Sequence, residues 1–314
     1  KREVVLNFSQ LLETNLPPGS LALLRSAGKI AQEEGMTLYL VGGAVRDLML
    51  VRPLEDLDLV VEGDGVALAI ALVEAMQGEL LMRSQFGTAK IRVNGRRVDL
   101  ASARRETYQE SGALPTVYQG SITEDLGRRD FSINAMAIRL YPQPRKLLDP
   151  KEGHRDVVSG LIRVLHASSF RDDATRILRA VRYEQRLGFS MESHTALLLG
   201  RDLGMLETIS GDRLLHELET SFREERAEQI LIRLAYLGVF SAIHPSLPGH
   251  MELKNRLRLI LSMDFPAQPK HYVAALAYSL DDSQRDGLIR RFNMPVSWAR
   301  VVRDVGLVKV FTPG

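Results

Sequence analysis

A chain of 314 residues, 45% hydrophobic and 25% charged, has the make-up of an ordinary soluble globular protein with room for two or three domains. Its net charge of +2 does not by itself call for a nucleic-acid partner, so any basic surface has to come from clustering. The lack of cysteine excludes disulfides and thiolate metal sites and fits a reducing, cytoplasmic setting, and no apolar run approaches the roughly 18 residues that span a bilayer, so no membrane partner is expected. The first residue is Lys1 and no signal-peptide pattern follows, which suggests a natural polypeptide that begins earlier.

Residues 1–36 read as helices, with Leu6, Leu11 and Leu12, then Leu21, Leu23 and Leu24 on apolar faces, split at Pro17-Pro18-Gly19. From about residue 37 strands alternate with helices. Leu38–Val41 and Leu57–Val61 read as strands and Val66–Met76 as a helix, while Ala89–Val93 and Arg97–Ala101 flank Asn94-Gly95, a hairpin signal because both residues tolerate positive φ. Residues 105–120 lack periodicity and read as a polar loop, functional or mobile. Beyond Asp149-Pro150 the strand signals fade, and Asp172–Leu187, Gly211–Arg223 and Ala227–Leu237 read as helices. The fold class is therefore α+β: a head over residues 1–150 and an all-helical remainder.

The chemistry is concentrated in a few segments. Gly42-Gly43 opens a helix whose backbone amides suit an anionic phosphate, with Arg46 and Asp47 just inside it. Asp56 and Asp58 follow at i and i+2 of a strand, on one face, where two carboxylates suit a divalent cation and thus phosphoryl transfer. Asp99, on the hairpin strand, is either a third carboxylate able to deprotonate a ribose hydroxyl or a solvated residue paired with a neighbouring arginine. Arg104, just beyond it, reaches phosphate or neutralises Asp99.

In Asp125–Ala137, Arg128 and Arg129 can fork onto phosphate, with an Arg/Asp ion-pair cluster as the rival for Arg128. Asp130 and Asn134, four apart, would share a helix face and could hold a ribose. Asp172 stands at an expected helix start, where the macrodipole favours it. Asp173 and Arg176, three apart, are either an intrahelical salt bridge or a base reader, carboxylate to an exocyclic amine and arginine to ring acceptors. Arg213 and Glu217 read as an i,i+4 brace. Lys254, Arg256, Arg258 and Arg285, Arg290, Arg291 are candidate RNA-phosphate contacts, with a solvated face as the alternative. The histidines are scattered without metal spacing.

The ordered stretches LYLVGGAVRDLML, EDLDLVVEG, FGTAKI, EDLGRRDFSINAMAI, VLHASSFRDDATRILRAVRYEQRLGF and SGDRLLHEL, over most of residues 37–220, resemble the class II tRNA nucleotidyltransferases. That family comprises CCA-adding enzymes, their A-adding relatives and bacterial poly(A) polymerases. The resemblance implies a polymerase-β-type nucleotidyltransferase head (1–150), a helical neck for base selection (151–208) and a helical body for tRNA (209–314), with the tail short or missing. It implies Mg²⁺ on Asp56 and Asp58, triphosphate near Gly42, Gly43, Arg46 and Arg128, and ribose near Arg129, Asp130 and Asn134. It further implies base selection by Asp173 and Arg176 without a template, with Arg179 as another basic position of the nucleotide pocket.

The implied reaction extends a tRNA 3′ end from CTP and/or ATP and releases pyrophosphate; the alternatives are a poly(A) polymerase or a catalytically silent RNA-binding module. Two departures stand out. Asp172-Asp173 replaces the family's usual Glu-Asp, and the segment Ala103–Pro115 looks more like that of A-adding enzymes and of homologues with extra N-terminal domains, which would explain a start at Lys1.

Overall fold

The computed structural model describes residues 8–16, 18–54, 56–107, 116–143, 145–262, 264 and 266–311. Leu6 and Pro17 of the expected N-terminal helices lie outside them. The chain groups into two compact units that divide between Leu165 and His166. No helix among the described residues is long and apolar enough to cross a membrane.

The first unit is built on a seven-stranded sheet. Its strands are β1 (Thr37–Val41), β2 (Leu57–Glu62), β3 (Glu79–Arg83), β4 (Thr88–Val93), β5 (Arg96–Ser102), β8 (Ala137–Tyr141) and β9 (Lys146–Leu148), in the spatial order β3-β4-β5-β2-β1-β8-β9. All neighbours run antiparallel except β2 and β5, which are parallel and set Asp58 beside Asp99. The β4–β5 hairpin closes on Asn94 and Gly95 with φ of 50° and 76°, as their tolerance of positive φ leads one to expect.

Helices α1 (Phe8–Asn15), α2 (Pro18–Glu33), α3 (Gly43–Met49), α4 (Gly65–Met76), α5 (Ile122–Gly127) and α6 (Gly153–Ser159) complete the unit. The pleat sends Leu59 and Val61 to one face and Val60 to the other. On the Val60 face, Ile122 and Leu126 of α5 bury against Tyr39, Val41 and Ala137, which fixes α5 over one end of the sheet. The rest of that face, around Asp58 and Asp99, is left open.

Three expectations change here. Strand β2 starts at Leu57, so Asp56 lies in the bend before it and not on the strand. The expected loop of residues 105–120 begins and ends in a hairpin: β6 (Arg104–Thr107) pairs antiparallel with β7 (Thr116–Gln119), while 108–115 fall outside the described residues. Strands this short, paired only with each other, leave no alternation for a sequence reading to find. Asp130 and Asn134 share no α-helix, because α5 ends at Gly127 and Ser132–Asn134 form a single 3₁₀ turn.

The second unit is helical: α7 (Ser169–Asp172), α8 (Thr175–Leu187), α9 (Ser193–Arg201), α10 (Gly211–Phe222), α11 (Ala227–Tyr236), α12 (Val239–Ile243), α13 (His250–Leu261), α14 (Pro269–Ala277), α15 (Asp282–Arg291) and α16 (Val296–Phe311). Stacked rings tie its distant parts, Phe222 lying 5.6 Å from Tyr272 and 6.1 Å from Trp298. The expected single helix over 172–187 is broken. Asp173 is extended (φ −148°, ψ 101°), and Asp172 is the last residue of the one-turn α7 instead of the start of a long helix.

Candidate active site

An open cleft of about 270 Å³ lies on the uncovered face of the sheet, lined among others by Asp58, Asp99, Lys90, Thr88, Arg128 and Arg129. Parallel pairing makes Asp58 and Asp99 direct neighbours across two strands. Burial pushes the Asp58 carboxyl above its ordinary pKa, and the charges of Asp99 and Asp56 push the same way, only partly offset by Arg129 and Lys90. Asp56 lies in the bend just before β2, two residues ahead of Asp58. Asp99 is a partly solvated strand residue, as one reading had it, but its partner is Lys90 across the hairpin (2.7 Å) and not an arginine.

Among the described residues no three His, Cys, Asp or Glu side chains form a ready-made metal cluster. The donor set nevertheless suits a hard cation. Mg²⁺ takes one or two carboxylates and completes its shell with water and phosphate oxygens. Two adjacent carboxylates, one held above its ordinary pKa first by burial and then by the charge beside it, are a place where a bound cation relieves repulsion.

Arg128 is in an Arg/Asp ion pair, as its rival reading had it, and shares with Arg129 a carboxylate, Asp125, that the sequence reading did not single out. Asp125, fully buried in the first turn of α5, gives one carboxylate oxygen to each. Its Oδ1 accepts from Arg128 Nε (3.2 Å) and Nη2 (2.5 Å), and its Oδ2 accepts from Arg129 Nη2 (2.9 Å) and Nε (3.3 Å). Burial raises the Asp125 pKa, but the two guanidinium groups outweigh it and hold the carboxyl below its ordinary range. The i, i+3, i+4 spacing of an acid before two arginines was the signal for it.

Gly42 packs against the same group. Its φ is 67°, and a Cβ there would come 2.5 Å from Arg129 Nη1. Its amide donates to Met136 O (3.0 Å), so this amide is engaged within the fold. Arg46, 3% exposed, is also turned inward. It forks onto Asp47 (2.9 and 2.8 Å) and donates to Asn134 Oδ1 (2.5 Å), while Asn134 Nδ2 donates to Asp130 Oδ1 (3.0 Å). Asp130 and Asn134 are thus brought together as expected, in a buried chain and without a helix. Arg104 lies apart, lining a different cleft.

In the helical unit Asp173 and Arg176 are not paired with each other in the way a shared helix face implied. Asp173 Oδ1 accepts from Thr175 N (3.0 Å), Thr175 Oγ1 (2.7 Å) and Arg213 Nη2 (2.8 Å), while Arg176 Nη1 donates to Ser169 Oγ (2.7 Å). The expected Arg213–Glu217 brace is replaced as well, since Glu217 faces Arg182 (3.0 Å) and Arg179 (3.6 Å). Arg179 lies over the Tyr183 ring, 5.6 Å from its centroid. Of the six basic residues offered for RNA, Arg285 is buried against Asp282, and Arg256 and Arg291 donate to main-chain carbonyls; Arg258 and Arg290 are exposed.

The Poly A polymerase head domain family matches residues 38–163, and the probable RNA- and SrmB-binding site of polymerase A matches residues 188–249. The chain is 39% identical over 269 residues to an A-adding tRNA nucleotidyltransferase of Geobacter sulfurreducens, covering 83% of this chain and 30% of that protein. It is 40% identical over 243 residues to one of Halalkalibacterium halodurans, covering 76% of this chain and 57% of that protein. It therefore spans less than two thirds of the length of these curated relatives. The Thermotoga maritima CCA-adding enzyme complexed with tRNA superposes with a TM-score of 0.81 at 33% identity, over 96% of this chain and 73% of that one. The chain belongs to the tRNA nucleotidyltransferase and poly(A) polymerase family.

Proposed function

We propose that this protein is a template-independent tRNA nucleotidyltransferase that adds AMP, CMP or both from ATP and CTP to a tRNA 3′ end, releasing pyrophosphate. The observation that carries the reading is the adjacency of Asp58 and Asp99 over an open cleft edged by Arg128 and Arg129. Relatives named for A addition and for CCA addition support the choice of substrate. The absence of cysteine and the tRNA substrate fit a cytoplasmic enzyme.

Nucleotidyltransferases use a divalent cation, and we take it to be Mg²⁺ on Asp56 and Asp58. When bound, it would neutralise charge on the phosphates and lower the pKa of the attacking hydroxyl. Asp99, tied to Lys90, is the acceptor we assign to the proton of the 3′-hydroxyl. Arg128 and Arg129 face the triphosphate. Gly42 leaves room for Arg129, and Gly43 opens α3. A ribose would reach Asp130 and Asn134 only by exchanging bonds they already make, so we assign that pair and Arg46 to bracing the arginine turn. For base selection we assign Asp173 and Arg176, with Arg179 beside them. The three bonds to Asp173 fall on Oδ1, which leaves Oδ2 to accept from the exocyclic amine of cytosine or adenine.

The test is incorporation of labelled CTP and ATP on tRNA ending before CCA, after its first cytidine, and after its second. AMP addition that stops at the mature end supports the proposal; unlimited ATP addition to any RNA identifies a poly(A) polymerase, the reading favoured by the name of the head family. No incorporation on any of these would sink it. Gly42→Ala should lower kcat/KM about 10- to 100-fold in the same assay, since a side chain at that φ costs about 1–3 kcal/mol and displaces Arg129. Unchanged kinetics would show that the Gly42–Arg129 contact is immaterial.

A further inference from the structure

A second cleft, of about 420 Å³, opens on the same unit and belongs to no role assigned above. It is lined by Phe86, Tyr118, Gln85, Gln119, Arg104 and Ala103, among others. Its two rings are unusual for a soluble surface: Phe86 is 56% exposed and Tyr118 48%. Neither is loosely presented. Phe86 sits in the β3–β4 turn, which is pinned by Ser84 N to Thr88 O (2.8 Å), by the Ser84 and Thr88 hydroxyls (2.6 Å) and by Ser102 N to Gly87 O (2.8 Å). Tyr118 stands on β7 opposite Arg105, whose guanidinium lies 5.3 Å from the ring centroid. Tyr118 lines the cleft and Arg105 does not, so the cation backs the ring instead of filling the space.

The place of this cleft gives it a direction. Asp99, Ala101 and Ala103 succeed one another at two-residue steps along β5 and its end, Asp99 and Ala101 lining the carboxylate cleft and Ala103 the second. Thr88 and Gly87 divide in the same way on β4 and its turn. The two clefts therefore abut, and Asp99 lies about 13 Å from Ala103 along the strand, at about 3.3 Å per residue. Rigid exposed rings with a cationic backing, beside amides able to donate and accept, are the elements that take up a single-stranded base without demanding one sequence.

We propose that the second cleft seats a base of the single-stranded RNA acceptor, just upstream of the reacting 3′ end, by stacking on Phe86 and Tyr118. The proposal rests on the RNA-extending reading above and adds an acceptor subsite to it. Its chemistry is that of an unpaired nucleobase, with Gln85 and Gln119 able to meet the base edge and Arg104 an adjoining phosphate.

The test has two arms. In the first, tRNA lacking its terminal adenosine carries 2-aminopurine at each of its last three positions in turn and is bound to the Asp58→Asn protein without nucleotide. Quenching is expected at a position before the terminal one, and it should be relieved by Phe86→Ala or Tyr118→Ala. In the second arm, with Asp58 intact, either alanine variant should raise KM for tRNA roughly 5- to 100-fold, the range expected for one lost stack, and leave KM for ATP and CTP unchanged. Phe86→Trp and Tyr118→Phe, which keep a ring, should restore the parent values and so exclude misfolding as the cause. Quenching indifferent to both alanine variants, or a rise confined to KM for the nucleotide, would overturn the subsite. If the parent protein extends no RNA, the enzymatic reading fails by itself, while the quenching still reports on the cleft.

Discussion

Asp58→Asn should abolish nucleotide incorporation while making the protein more resistant to heat. The first half follows from the role proposed for the carboxylate. Lewis-acid stabilisation of transition-state charge is worth several kcal/mol, so losing a metal ligand should lower kcat by about 10³-fold or more. The second half follows from the cost of holding that charge. Burial, Asp99 and Asp56 all raise the Asp58 pKa above its unfolded value. An acid shifted in that direction contributes stability only below its unfolded pKa, and the contribution disappears as pH rises through the folded one. At neutral pH the ionised group is therefore a liability, and the neutral isostere removes it. The Tm difference between variant and parent, measured without metal, should be positive at pH 7 and shrink as pH falls into the ordinary carboxylate range. Adding Mg²⁺ should raise the Tm of the parent more than that of the variant. A variant that is inactive but also destabilised at pH 7 would show that Asp58 serves the fold and not a bound cation.

The parts of this arrangement visible in the sequence are those set by local rules. Asn94-Gly95 announces its hairpin because positive φ is a one-residue property. The contact that sets Asp58 beside Asp99 is long-range and carries no such local mark. What could not be read was which polar group each side chain would spend itself on. Arg46, Arg128 and Arg129 look alike in sequence, but Arg46 is enclosed against Asp47 and Asn134 while the other two edge the cleft.

The same limit explains the helical unit. A uniform helical pattern runs through residues 172–187, so nothing local marks the break at Asp173. The side chain nevertheless caps Thr175 and receives Arg213 from a helix 40 residues further on. The i,i+4 rule then misassigned Arg213 to Glu217, because a tertiary partner outcompeted the neighbour on its own helix. Hairpin β6–β7 escaped for a different reason: strands of four residues carry almost no periodic signal.

Asp125→Asn is the second change expected to have a large effect, and it separates positioning from chemistry because Asp125 is sealed from the cleft by the arginines it holds. The asparagine keeps the shape but removes the charge that both guanidinium groups share. Breaking a fully buried pair costs about 3–5 kcal/mol, and here the arginines are about a fifth exposed, so a loss of about 2–4 kcal/mol is expected. In a domain of this size that corresponds to a fall in Tm of about 5–10 °C. Because the Asp125 pKa is depressed, its contribution should be complete above the ordinary carboxylate range and vanish only as pH falls through the lower folded value. The stability gap between parent and variant should thus stay constant from neutral pH down to that range. With Arg128 and Arg129 released, KM for the nucleotide should rise and kcat fall together, about 100-fold in kcat/KM if about 3 kcal/mol of transition-state stabilisation is lost. Asp125→Glu, which restores the charge at a longer reach, should recover part of both. A variant that loses stability while its nucleotide kinetics stay at the parent values would show that the arginine pair edges the cleft without touching what binds there.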